Sequence, residues 1–205
     1  MTKEYPFILA GAAVITDDYN AKIIGRKQNI QGDSWQNLPA LIRNLPDLPD
    51  VVMDNYRRAD HKAKSYMLAG WLAVYDAGGR SGGEQAVIDI SRVGCHEQNK
   101  LYYDDFVQFG RQLGRGHLFV GTLPSTPLCE ALLTLNFHGP SFYMDTLDDF
   151  TPFWQEISLL LTEDDCGGVL AFYYIPGKTI AMYFTSGKTC LDDTATPENI
   201  LDLLS

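Results

Sequence analysis

Two segments of this chain, Phe7–Ile15 and Val169–Ile175, are apolar almost without interruption. A strand with one face in water alternates apolar and polar residues. A continuous run of this kind suits a strand buried on both faces, as in a parallel sheet covered by helices. Both runs are far shorter than the ~20 residues that cross a bilayer. The segments between them alternate between helical and strand patterns, so the expectation is a layered α-β-α domain of the α/β class. A length of 205 residues suits one such domain, spanning 1–205.

The sequence divides as follows. Phe7–Ile15 is the first strand. Residues 16–50, broken by Gly25, Gly32, Pro39, Pro46 and Pro49, read as loop with one short helix near Trp35–Arg43. A long helix is predicted from Asp60 to Ala77, capped by Asp60 and ended by Gly78-Gly79, with Ala63, Tyr66, Met67, Gly70, Trp71 and Val74 on one face. Beside that face, Ala69, Ala73 and Ala77 form a row of small residues that another backbone could approach closely. A strand at Ala86–Ile90 comes next. A helix at Leu101–Leu113 follows, with Tyr102, Phe106, Phe109 and Leu113 turned inward, and then a glycine break at Gly114 and Gly116. Further helices are predicted from Thr126-Pro127, with the stripe Leu128, Ala131, Leu132 and Leu135, and from Thr151-Pro152, with Trp154, Ile157, Leu160 and Leu161. Ser141–Thr146 reads as a strand. Val169–Ile175 and Thr179–Thr185 read as a hairpin whose Pro176-Gly177 turn needs positive φ at the glycine. Pro197–Leu204 closes the chain as a short helix.

Charge narrows the function. The net charge is −10, which opposes binding to phosphate backbones and anionic membranes and disfavours docking of an acidic carrier protein. The one cationic cluster, Arg57, Arg58, His61, Lys62 and Lys64, reads as a solvated helix start. Lys3, Glu4 and Pro6 interrupt any signal peptide, so a cytoplasmic location is expected. Four cysteines, Cys95, Cys129, Cys166 and Cys190, form no CxxC pair, and most are expected to be buried thiols. The histidines show no metal-ligand spacing, and neighbours such as Cys95 and His96 rarely aim at one target. No metal and no cofactor are expected.

The stretch "TLPSTPLCEALLTLNFHGPSFYMDT" resembles the β-ketoacyl synthases (ketosynthases) of the thiolase-like fold. Those enzymes carry a Leu-Pro-Ser/Asn turn and a helix. A Gly-Pro-Ser turn follows, and then a strand ending in Asp-Thr-Ala-Cys, whose Cys accepts the acyl group. Leu123-Pro124-Ser125, Gly139-Pro140-Ser141 and Asp145-Thr146 match in order. "FILAGAAVIT" is similar to the family's first strand, and "RRADHKAKSYMLAGWLAVYDAG" to its helix ending in Asp-Ala-Gly. The resemblance covers nearly the whole chain but only the N-terminal half of a ketosynthase, in a degenerate form.

Two departures shape the functional expectation. Asp148 falls at the nucleophile position, and a carboxylate cannot replace a thiolate in transacylation, since attack would leave a mixed anhydride open to hydrolysis. The family's two catalytic histidines belong to a C-terminal half, and no histidine follows His138 here. The expectation is a non-condensing, accessory pseudoenzyme of fatty acid, polyketide or related lipid biosynthesis. The alternative is an acyl-thioester hydrolase or decarboxylase built on Asp148, perhaps within an acidic site of Asp145, Asp148 and Asp149. The competing reading of Asp148 and Asp149 is negative charge placed at a helix start. Cys129 and Cys166 have no cationic neighbour and read as structural, and Ser125 reads as a turn group. In the family, the strand equivalent to Ser141, Phe142, Tyr143, Met144, Asp145 and Thr146 pairs across a dimer interface. The resemblance therefore implies a homodimer, or a heterodimer with a full-length ketosynthase. An acyl chain or acyl carrier protein is a further candidate partner. The alanine row and the hairpin aromatics Phe172, Tyr173, Tyr174, Tyr183 and Phe184 are candidate covered faces.

Overall fold

The computed structural model describes residues 2–79, 81–90, 94–110, 116–145, 149–164, 166–192 and 194–204. Seven strands form one mixed sheet: β1 (Thr2–Thr16), β2 (Asn20–Ile23), β3 (Gln28–Gln31), β4 (Gln85–Asp89), β5 (Ser141–Tyr143), β6 (Gly168–Ile175) and β7 (Lys178–Asp192). Their spatial order is β3-β2-β1-β7-β6-β4-β5. β4 runs parallel to β5 and β6, and every other pairing is antiparallel. The helices are α1 (Leu38–Ile42), α2 (His61–Asp76), α3 (His96–Phe109), α4 (Gly116–Gly121), α5 (Ser125–Leu135) and α6 (Thr151–Thr162), with a 3-10 turn at Asn199–Leu204.

The sheet separates two cores, and this explains the unbroken apolar runs. On β6, Leu170, Phe172 and Tyr174 join the core shared with α2 and α5. Val169, Ala171 and Tyr173 join the core under α6, where Trp154, Ile157 and Leu160 pack. Alternation persists, but both faces are dry, so every position is apolar. β1 is buried on both faces from Gly11 to Ile15, but the expectation for Phe7–Ala10 is corrected: there burial alternates, and Ile8 is 39% exposed, because only one face of that end of the strand is covered. Its partners are antiparallel, however, which corrects the parallel setting expected for it. Continuous apolarity reports two covered faces and carries no information on strand direction.

α2 is the keystone. Asp60 caps it, its Oδ1 accepting from Ala63 N at 2.8 Å. The amphipathic stripe expected of it is not the whole story, because every residue from Lys62 to Tyr75 is buried. The alanine row does admit a backbone, from within the chain. A Cβ at Gly11 of β1 would lie 2.3 Å from Ala77 N and 2.5 Å from Ala73 O. Asp76 locks this junction, accepting from Ala12 N at 2.9 Å, Gly25 N at 2.8 Å and Arg26 N at 2.9 Å. The Arg26 guanidinium lies 3.9 Å over the Tyr75 ring and donates to Tyr75 O.

Several expectations are corrected. Residues 16–50 contain β2 and β3 as well as a shorter helix than expected; polar sequences such as "QNIQ" are strands here because they hold the sheet's outer edge. α3 begins at His96, ahead of Leu101, and carries no buried residue. Phe109, expected inside, is 49% exposed, and Leu113 and Gly114 lie outside the described residues. β7 continues to Asp192 because β1 pairs with it along its length. Gly177 takes φ 83° at the hairpin turn, as expected. Ala69 and Ala73 and the hairpin aromatics are covered by the chain's own layers, so they offer no free face to a partner. Among the described residues, no helix is long and apolar enough to cross a membrane.

Candidate functional site

Open sheets with parallel strands gather their functional groups at the carboxyl ends of those strands. Here β4, with parallel neighbours on both sides, ends in Asp89. Its Oδ1 accepts from the Tyr66 hydroxyl at 2.8 Å, and its Oδ2 lies 3.5 Å from Lys62 Nζ. Lys62 Nζ also donates to Gly94 O at 2.9 Å, and sits 5.2 Å and 4.9 Å from the Tyr66 and Tyr174 ring centroids. Tyr66 stacks on Phe172 at 4.4 Å, and Asp89 O accepts from Met144 N at 2.8 Å. The Tyr174 hydroxyl reaches Glu97 at 3.1 Å. One charged network thus ties α2, the end of β4, the start of α3, and the chain leaving β5.

The side chains of Lys62 and Asp89 are each 1% exposed, and Tyr66 is fully buried. Burial, with the Asp89 carboxylate beside it, pushes the Tyr66 hydroxyl far above its usual range, so it stays a neutral donor. None of these groups opens to a substrate. Their chemistry is structural: an ion pair that loses either member leaves a buried charge uncompensated. Sequence reasoning missed this network by reading Lys62 and Lys64 as solvated. Both are buried, since α2 lies between the sheet and the rest of its layer. A faint signal existed in Lys62, which sits inside an otherwise apolar helix, next to Ala63.

The residues singled out in sequence separate. Asp145 is exposed just beyond β5. Thr146, Leu147 and Asp148 lie outside the described residues. Asp149 is exposed, and its Oδ1 accepts from Thr151 N at 2.8 Å at the start of α6. That bonding holds its carboxyl below the usual range. Asp149 therefore acts as the helix-start group weighed for it. Ser141, Phe142 and Tyr143 form β5, the outermost strand, with Ser141 and Tyr143 exposed and Phe142 and Met144 half-buried.

The cysteines divide two and two: Cys95 and Cys166 are buried, Cys129 and Cys190 exposed. This corrects the expectation that most are buried. Cys129 points outward from α5, off the stripe that Leu128 and Ala131 bury. Burial raises the Cys95 thiol pKa, with nearby Lys62 only partly opposing it, so Cys95 is not an activated nucleophile. His96 beside it is exposed, so the two do not share a target. Among the described residues, no group of three His, Cys, Asp or Glu side chains is placed to hold a metal ion.

A cleft of about 350 Å³ opens where the N-terminus of α2 meets α4 and α5, lined by Arg58, Asp60, Ala63, Val120, Thr126 and Glu130 among others. Several of its polar groups are already engaged within the chain. Asp60 caps α2, Asn55 donates to Glu130 at 3.2 Å, and Thr126 donates to Val120 O at 2.7 Å.

No protein-family profile and no curated protein matches this chain. Among solved structures, it is similar to that of a ketosynthase (ApeO) in complex with its chain length factor (ApeC) from Xenorhabdus doucetiae. The TM-score is 0.57 over 89% of this chain and 79% of that chain, at 12% identity. The chain thus has a ketosynthase-type, thiolase-like fold. Those two shares also make the matched chain only modestly longer than this one.

Proposed function

We propose that this chain is a non-condensing, ketosynthase-like accessory protein of fatty acid, polyketide or related lipid biosynthesis. It corresponds to the N-terminal half of a ketosynthase and works as a heterodimer with a full-length ketosynthase. The observation that carries the reading is the likeness, over 89% of the chain, to a structure that holds a ketosynthase together with its chain length factor. Two features support it. Counted from Gly139-Pro140-Ser141, Asp148 stands where the resemblance to the family puts its nucleophilic cysteine. β5, with the neutral residues Ser141, Phe142 and Tyr143, is the outermost of the described strands, and an edge strand is a template for pairing with another strand.

The test has two arms. The purified chain, incubated with a radiolabelled acyl thioester, is expected to take up no acyl group. Co-expressed with the full-length ketosynthase encoded in the same genome, it is expected to purify as a 1:1 complex. Stoichiometric acylation of the chain alone, or its failure to bind that ketosynthase, would overturn the reading.

A further inference from the structure

We propose that the cleft of about 350 Å³ between the start of α2, α4 and α5 is a binding site for a small zwitterion, an α-amino acid with an aliphatic side chain. The site stands apart from the accessory reading above, since it needs neither a partner chain nor a lost activity.

The polar groups that line the cleft are unevenly satisfied. Asp60 Oδ1 caps α2, accepting from Ala63 N at 2.8 Å, whereas Oδ2 makes no hydrogen bond. Oδ2 lies on the wall next to α4, where a Cβ at Gly121 would sit 3.2 Å from it. Glu130 of α5 accepts from Asn55 Nδ2 alone, at 3.3 Å to one oxygen and 3.2 Å to the other, both longer than the usual ~2.9 Å. Thr126 Oγ1 donates to Val120 O at 2.7 Å, so its own lone pairs stay open to a donor. Against these acceptors stands Arg58. Among the described residues its guanidinium makes no hydrogen bond and no ion pair, either to Asp60 or to Glu130.

Opposite charges that line one cleft without neutralising each other select a ligand that carries both. An ammonium has three N–H donors and no acceptor, which suits the open oxygens of Asp60 and Glu130; a carboxylate suits the fork of Arg58. A simple anion fits poorly. It would meet both carboxylates, and the Ala63 amide at the helix start is already taken by Asp60. A simple cation would leave the Arg58 guanidinium unanswered. The bonds to Ala63, Asn55 and Val120 also hold the acceptors in place before any ligand arrives.

Size and polarity narrow the class further. The remaining wall is small and apolar, formed by Ala59, Ala63, Val120 and Gly121. It covers a short aliphatic side chain and offers a polar one no partner. The volume lies near the lower end of the ~300–1,000 Å³ common for small-molecule sites, which suits an amino acid better than a nucleotide.

The experiment titrates the full chain with L-leucine, followed by calorimetry and by amide chemical shifts. Saturable binding in the micromolar to millimolar range is expected, with the largest shifts at Ala63, Gly121 and Thr126. Two probes each lack one charge. N-acetyl-L-leucine and L-leucinamide are expected to bind at least about 10-fold more weakly than leucine. Arg58→Gln should weaken leucine by a similar factor and abolish its advantage over leucinamide. Glu130→Gln should do the same for its advantage over N-acetyl-leucine. Both variants should keep the parent's urea midpoint, because neither side chain is buried. If glycine, valine and leucine all fail to bind saturably at millimolar concentration, the proposal is overturned. Binding of either single-charge probe as tight as that of leucine, or shifts that fall away from the cleft, would overturn it as well. None of these failures touches the accessory reading, which the ketosynthase pull-down decides separately.

Discussion

α2 and α3 are of similar length and both rich in aromatic side chains, yet one is buried from Lys62 to Tyr75 and the other buries nothing. α2 even takes a lysine into the core, where a carboxylate, a carbonyl and two tyrosine rings surround it. α3 leaves Tyr103 and Val107 in water. Composition separates these helices only in part: α3 carries more polar residues than α2, yet both bear an apolar face. The difference lies in what each is packed against: α2 lies on β1, β6 and β7 and under α5, whereas α3 contacts chiefly α4. A helix buried by its own chain carries stability, whereas substitutions on an exposed helix leave that stability nearly unchanged.

The strongest challenge to this contrast is Lys62→Met. Removing one member of a buried ion pair is expected to cost about 3–5 kcal/mol, read as a fall in the urea midpoint. Lys62→Met combined with Asp89→Leu is expected to recover part of that loss, because no orphaned charge remains. If Lys62→Met alone is neutral, the network is not what holds α2 to β4. Next comes Gly11→Ala, whose methyl would collide with Ala73 O and Ala77 N of α2. About 1–3 kcal/mol should be lost as strand and helix are forced apart. Asp60→Ala, which removes the cap of α2, should cost about 1 kcal/mol by the same measurement. On α3, Val107→Ala should change the stability of the isolated chain by less than about 0.5 kcal/mol. A larger loss there would mean that α3 is packed against its own chain after all, and would erase the contrast.

The smallest effect concerns helix starts. α2 and α6 each begin with a carboxylate accepting a first-turn amide, from Asp60 and Asp149, whereas Cys95 gives α3 no side-chain cap. The carboxyl of Asp149 is held below its usual range in the folded protein. Its stabilising contribution is therefore present above the unfolded-state pKa and is lost as pH falls through the folded one. Acid unfolding of Asp149→Asn against the parent should show a small difference at neutral pH that disappears at the acid end. A difference that grows on acidification would contradict the capping role.

Part of this was legible in sequence for identifiable reasons. The run Val169–Ile175 demanded two covered faces, Asp60 and Gly78 marked the ends of α2, and Pro176-Gly177 required a turn with positive φ. The strands β2 and β3 were not legible, because an edge strand needs neither apolarity nor alternation when a neighbour supplies its hydrogen bonds. The inward face expected for α3 failed because helical periodicity shows that an apolar face exists, not that the same chain covers it. In the candidate site, Asp149 was read as a possible helix-start group, and the structure gives it that bond. The network at Asp89 escaped notice because its members lie at 62, 66, 89, 94 and 174, far apart in sequence.

By itself the sequence determined what local chemistry controls: which segments had to be dry on both faces, where helices start and stop, and that an acid stands at Asp148. Only the tertiary structure decided the direction of β1, the burial of Lys62 beside Asp89, and the exposure of α3. Those outcomes depend on which distant segment arrives as a neighbour, and the free energy of burying a side chain belongs to that pairing and not to the residue alone.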